Sequence, residues 1–214
     1  MLISHSRRFI FIHNYKVAGS SIRDTLAAYS NLSFQRSSLT DKIKLVLGIY
    51  PKIYSHDFHG HIKAFELKGK LPKKTFDDYF KFGFVRNPWD WQVSLYTYAL
   101  NLPSHHQHLL VKEMKGFDDY IDWRIDKELR LQKDFFYSPE GKCLVDFVGK
   151  FENLETDFVK ICDRLQIKAN LSFLNQSKRN KNPLDYYSQR SIDRVYDAFR
   201  EDIELFGYSK PVLK

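Results

Sequence analysis

Arg8-Phe9-Ile10-Phe11-Ile12-His13-Asn14-Tyr15-Lys16-Val17-Ala18-Gly19-Ser20-Ser21-Ile22 is the stretch from which the rest of the chain is read. Phe9 to Ile12 form an unbroken apolar run, the pattern of a short strand buried on both faces. A polar loop carrying Lys16 leads into Gly19-Ser20-Ser21, after which Ile22, Leu26 and Tyr29 recur at helical spacing. The order is therefore strand, loop, helix. A helix entered this way turns unpaired backbone N–H groups and the positive end of its dipole back toward the loop, which makes an anion site, and the glycine allows close approach to the main chain.

The same spacing excludes one class of loop. A kinase-type P-loop reads G-x-x-x-x-G-K-[ST], with its lysine directly before the hydroxyl residue that holds magnesium. Here Lys16 lies three residues before Gly19, and no lysine directly precedes Ser20 or Ser21, so the loop reads as a phosphate cradle without that magnesium position. The 214 residues are expected to form one domain, 1–214, with a substantial core. A formal charge of +8 permits an anionic cofactor or an acidic polymer as partner. No apolar run reaches the length of a membrane span, and the N-terminus enters the first strand without a signal-peptide core. The expectation is a cytoplasmic protein without stable membrane insertion, or a Golgi-lumenal one if an N-terminal anchor has been removed. Cys143 and Cys162 read as idle or buried thiols rather than a disulfide or metal pair.

Farther along, a short helix is expected around Asp41 to Leu47 and a strand at Lys52 to Tyr54, with His59-Gly60-His61 just beyond it. Two histidines at an element boundary are acid/base candidates. Phe76 to Tyr79 reads as a helical turn, and Lys81-Phe82-Gly83-Phe84-Val85-Arg86 as a second buried strand. Asn87-Pro88 then opens a helix with Asp90 in its first turn. Trp89, Val93, Tyr96 and Leu100 mark its core stripe, and Ser94 falls beside it. Arg86 at the strand tip and Ser94 two turns on are placed to share the carboxyl edge of the sheet, where open α/β sheets bind ligands; an arginine fork with a hydroxyl suits a terminal phosphate.

At this point the sequence resembles the sulfotransferases that use 3′-phosphoadenosine 5′-phosphosulfate (PAPS). His13 to Ser21 resembles their 5′-phosphosulfate loop, and Phe84 to Tyr96 is similar to their 3′-phosphate motif, with the arginine and serine eight positions apart. Phe151-Glu152-Asn153-Leu154 with Phe158, and Glu201 to Tyr208, are similar to the carbohydrate-modifying branch. That branch includes the heparan sulfate 2-O-sulfotransferases, in which a His-Gly-His segment contains the proposed base; the match implies His61 as base and His59 as its helper. The departures are Asn14 and Tyr15 in the lead-in to the lysine, and Trp91 where a basic residue is common.

The region from Asn101 to Cys143 reads as the least regular and as the seat of acceptor recognition. His105, His106 and His108 fit a solvated loop better than a metal site, because no second ligand cluster follows at a zinc-like spacing. Trp123, Phe135, Phe136 and Tyr137 read as core packing with sugar stacking as the alternative, while Lys127, Arg130 and Lys133 define a potential basic face. Asp146 to Phe151 is expected as a later strand and Asn153 to Gln166 as a helix. Asn175 to Lys181 is a polar basic loop; by the resemblance a loop here closes over the nucleotide, which makes Ser177, Lys178 and Arg179 candidates for the 3′-phosphate side. Ile192 to Phe206 reads as one long amphipathic helix stopped by Gly207.

Buried strands alternating with amphipathic helices indicate a three-layer α/β domain with a mainly parallel sheet; the resemblance implies the P-loop NTPase-like sulfotransferase fold. It further implies PAPS as co-substrate, PAP as product and no metal. Lys16, Val17, Ala18, Gly19, Ser20 and Ser21 would hold the 5′ side, Arg86 and Ser94 the 3′-phosphate, and Lys16 with His61 would act on a glycan or other hydroxyl acceptor. Nucleic acid is not expected as a partner. A nucleotide-dependent kinase and a non-catalytic anion- or glycan-binding module are the alternatives, and the acceptor and oligomeric state stay open.

Overall fold

A computed structural model describes residues 1–30, 35–171 and 182–213. In chain order its strands are β1 (Leu2–Ser4), β2 (Phe9–Ile12), β3 (Phe80–Val85) and β4 (Phe147–Lys150). Its α-helices are α1 (Gly19–Leu26), α2 (Leu39–Val46), α3 (Ala64–Lys70), α4 (Lys73–Asp78), α5 (Pro88–Asn101), α6 (His108–Lys112), α7 (Phe117–Glu128), α8 (Leu154–Leu165), α9 (Gln189–Ala198) and α10 (Arg200–Leu205). Two compact units emerge: Met1–Val85 with residues 134–171, and Arg86–Lys133 with residues 182–213. Among the described residues no helix is long and apolar enough to cross a membrane.

The first unit carries the sheet, ordered β1-β2-β3-β4. β1 runs antiparallel to β2, whereas β2–β3 and β3–β4 are parallel, so the α/β class and the mainly parallel sheet are as the sequence predicts. Alternation explains the packing. Phe9, Phe11, Phe82 and Phe84 join Ile22 and Leu26 of α1 and Phe158, Ile161, Cys162 and Leu165 of α8 in one buried cluster. Gly83 faces the other way, and a side chain there would meet the Phe136 ring at 2.2 Å. Glycine in mid-strand thus lets an aromatic ring lie directly on the sheet.

Several elements depart from the sequence reading. β1, α3 and α4 carry too few residues for a clear periodicity; β1 is held by pairing with β2 on one edge and by the Ile3 N–H donating to Ser55 Oγ at 2.9 Å. No strand forms at Lys52 to Tyr54. The Ile53 N–H bonds to the Pro51 carbonyl in a tight turn, and Tyr54 caps a 3₁₀ turn over Ser55–Asp57. A strand needs its N–H groups for a neighbour, and this one is spent locally.

The second unit is helical in its described part. Asn87 caps α5 by accepting from the N–H groups of Trp89 and Asp90, with Pro88 in the first turn. Trp89 and Val93 are buried as the stripe predicts, but so are Trp91, Gln92 and Ser94, and Tyr96 and Leu100 are only half-buried. The helix is enclosed on more than one side near its start, which a single-stripe pattern does not anticipate. The segment read as least regular contains the 12-residue helix α7. Its buried face is Phe117, Tyr120, Ile121 and Arg124; the fourth position is a charge, stabilised by Glu128 one turn on and by the Trp91 ring, so the periodicity is masked. Lys127, Arg130 and Lys133 do not share a helical face, since α7 ends at Glu128; Arg130 pairs with Glu128 and Lys133 with Glu201. The single long C-terminal helix is two, α9 and α10, because Phe199 takes φ −107° and ψ 20° between them.

That break has a use. Asp202, fully buried on α10, accepts the backbone N–H of Gln132 at 2.7 Å and of Lys133 at 2.9 Å. Asp202→Ala leaves both donors without their carboxylate and is expected to cost about 3 kcal/mol, as buried unsatisfied polar groups do. Urea unfolding of the variant against wild type measures it.

Candidate active site

The loop between β2 and α1 has a special backbone. Lys16 and Ala18 both adopt left-handed conformations, with φ 55° and 60°, whereas Val17 between them does not. Alternation of this kind turns successive N–H groups toward one side, the geometry of an anion-binding nest. Two such residues without glycine's freedom store strain of about 1–3 kcal/mol each, which the surrounding fold must hold in place. Ala18 is the N-cap of α1 and supplies no side-chain acceptor, and there is no acid in the first turn, so the dipole end carries no competing carboxylate of its own. Ser20 is exposed, Ser21 and Val17 are buried, and Lys16 is half-buried. Asn14, fully buried, ties the loop to β3 through Nδ2 and the Phe84 carbonyl at 3.4 Å, and its Oδ1 accepts the Tyr15 N–H at 2.7 Å.

Gly19 plays a part different from the expected one. A side chain there would come within 1.9 Å of the His13 ring, so the space left by the glycine is filled by histidine. His13 is buried, stacks on Phe11 at 5.6 Å, and lies 4.4 Å from the His61 ring. Burial, followed by the nearby His61, pushes its pKa down to about 2. The unfolded chain takes up a proton near the ordinary value of 6.5, which the folded chain refuses until far lower pH, so stability is present above 6.5 and is lost as the pH falls. This group alone is expected to cost about 1.4 kcal/mol per pH unit below that point. Urea midpoints at pH 7 and pH 5 should show the slope, and His13→Gln should remove one proton's worth of it.

His59-Gly60-His61 sits in a turn closed by the Ile62 N–H on the His59 carbonyl at 3.1 Å. The half-buried His61 is brought against the loop: its Nδ1 donates to the His13 carbonyl at 2.9 Å, and its ring stacks on Tyr15 at 4.0 Å between centroids and 25° between planes. A carbonyl only accepts, so Nδ1 carries the proton and a neutral ring keeps its lone pair on Nε2. Burial lowers the His61 pKa, against the opposing pull of the His13 carbonyl. His59 is exposed; its Nδ1 accepts from the His61 backbone N–H at 3.2 Å, and the two rings stand 6.1 Å apart. The group that fixes the His61 ring is therefore the His13 carbonyl. His13 has no role legible in the loop motif, and only the fold shows one.

In the second unit Arg86 is buried, its Nη1 donating to Ser94 Oγ at 3.1 Å and its Nε to Asp90 Oδ2 at 2.6 Å. The pair expected from an eight-residue spacing is thus formed, with a carboxylate on its other edge that the sequence assigned only to the helix dipole. Gln132 grips the Arg86 backbone on both sides, accepting its N–H at 2.9 Å and donating to its carbonyl at 2.7 Å. Because Asp202 holds the Gln132 N–H, Arg86 is anchored through two further residues that no local motif reveals. Ser177, Lys178 and Arg179 lie outside the described residues.

Of the remaining candidates, His108 opens α6 with Nδ1 on the Ala99 carbonyl, and among the described residues no cluster of three His, Cys, Asp or Glu is placed to hold a metal. Phe135 and Phe136 are buried and Trp123 and Tyr137 half-buried; Cys162 is buried, Cys143 exposed, and both are free.

The sequence profile of the Sulfotransferase family matches residues 1–209. The chain belongs to the sulfotransferase family. Among curated relatives, human carbohydrate sulfotransferase 8 is 24% identical over 186 residues, covering 70% of this chain and 43% of that protein. Carbohydrate sulfotransferase 10 of Xenopus laevis is 20% identical over 249 residues, covering 99% of this chain and 68% of that one. This sulfotransferase therefore spans less than half the length of the human relative. A solved structure of mouse sulfotransferase SULT7A1 complexed with PAP aligns over 94% of this chain and 85% of that one, at 18% identity and a TM-score of 0.45.

Proposed function

We propose that this sulfotransferase moves a sulfuryl group from PAPS to a hydroxyl of a carbohydrate acceptor. The observation that carries the reading is the contact of His61 with the lysine-bearing loop: a neutral histidine with its tautomer fixed lies against Tyr15, next to Lys16. The residues present fit the donor in each unit by itself. The alternating backbone at Lys16–Ala18 and the start of α1 suit a phosphosulfate. The Arg86–Ser94 pair suits a phosphate. PAPS supplies the activated sulfuryl group.

The chain's own residues do the rest. His61 Nε2 accepts the proton of the acceptor hydroxyl as its oxygen bonds to sulfur, and the bond between sulfur and the phosphate oxygen breaks. Lys16 offsets the negative charge growing on that leaving oxygen, a stabilisation aimed at the transition state. Carbohydrate is the acceptor class because the named relatives are carbohydrate sulfotransferases; the analogy, not the geometry, carries that part.

Calorimetry with PAP, AMP, ATP–magnesium and an oligonucleotide tests the donor. Tight binding of PAP over AMP is the expected result. Preference for ATP–magnesium points to the kinase alternative, and for the oligonucleotide to a binding module; either overturns the proposal. A glycan panel with sulfur-labelled PAPS tests the acceptor class.

A further inference from the structure

Tyr15 has a relation to His61 that loop-building does not require. The His61 ring has His13 on one side, 4.4 Å away, and the Tyr15 face at 4.0 Å, with Tyr15 itself braced edge-on by the buried Phe135 at 5.6 Å and 81°. Tyr15 lies between Asn14, which pins the loop to β3, and Lys16, which begins the left-handed turn. The position of this ring is thus set by the same backbone that shapes the anion nest.

We propose that Tyr15 is a positioning residue that couples the donor loop to the base: its ring holds the His61 imidazole so that Nδ1 stays on the His13 carbonyl and Nε2 stays available for the acceptor proton. The inference rests on the reading of His61 as base. Stacked ring pairs add specific stabilisation beyond burial, and loss of alignment of a catalytic group is costly out of proportion to the displacement. Besides Tyr15, the charged or titratable groups acting on His61 are His13 of the loop, His59 of its own turn, Arg23 of α1 and the terminal amine before β1. With the ring partner gone the imidazole gains water and its pKa should rise toward the ordinary value.

The test uses Tyr15→Leu, which keeps apolar bulk without a flat face, and Tyr15→Phe, which keeps the face. The expected result for Tyr15→Leu is a kcat about tenfold lower at neutral pH, an acid limb moved to higher pH, and PAP affinity within about twofold of wild type. Tyr15→Phe should restore both kcat and the limb. Wild-type kcat in Tyr15→Leu, a loss carried by PAP affinity, or a Tyr15→Phe as poor as Tyr15→Leu would each overturn the proposal. NMR titration of the His61 ring reads the coupling without turnover. If wild type transfers no sulfuryl group, the proposed activity fails, while an upward shift of the His61 titration in Tyr15→Leu still supports the clamp and an unchanged titration removes it.

Discussion

Lys16→Ala is expected to remove sulfuryl transfer almost entirely while leaving the protein folded. Lys16 is half-buried at the start of the nest, and a positive group placed where charge develops contributes on the order of 100-fold or more to rate. The fold should tolerate the change, because the loop is held by the Asn14 bond to β3 and by buried Val17. Alanine has no more freedom than lysine at φ 55°, so the strain of the turn is unchanged and the comparison isolates the ammonium group. Turnover with labelled donor, beside a thermal unfolding midpoint for both proteins, checks it. A variant with more than a tenth of wild-type turnover would show that the lysine is not opposite the leaving oxygen.

His61→Ala is the second large effect: a loss of roughly 10²–10⁴ in turnover, the range for one general base, with PAP affinity nearly intact. The pH profile adds a signature. The proposed base works only when neutral, and burial holds the His61 pKa below the ordinary 6.5, so wild-type kcat/KM should already be on its plateau at neutral pH and should fall as the pH is lowered through the depressed pKa. His61→Ala should lose that acid limb together with the rate. If full activity or an unchanged limb survives, the proton goes elsewhere, and the exposed His59 is the first group to examine by the same substitution.

The contrast between these two residues shows where sequence reading succeeds. Lys16 and the helix after it are legible because strand, loop and helix lie within one short stretch whose apolar periodicity changes from continuous to helical. Arg86 and Ser94 are legible for the same reason, as a strand tip and a position two turns into the next helix. The failures share a cause as well. α7 is obscured by a buried arginine that its neighbours neutralise; Lys52–Tyr54 offers strand-forming residues whose N–H groups a local turn consumes; and the helix break at Phe199 precedes a buried Asp202 that is committed to the distant Gln132 and Lys133 backbone.

What the sequence determined by itself is the local chemistry: an α/β chain, a lysine before a glycine-led helix, an arginine and a serine eight positions apart, and two histidines around a glycine. What only the tertiary structure decided is which of those groups act on each other. His13 and His61 are 48 residues apart in the chain, yet the carbonyl of one sets the proton of the other, and Gln132 reaches Arg86 across 46 residues. Periodicity reports which face of an element is buried, but a hydrogen bond between remote segments depends on the crossover that brings them together, and that geometry is fixed only when the core packs.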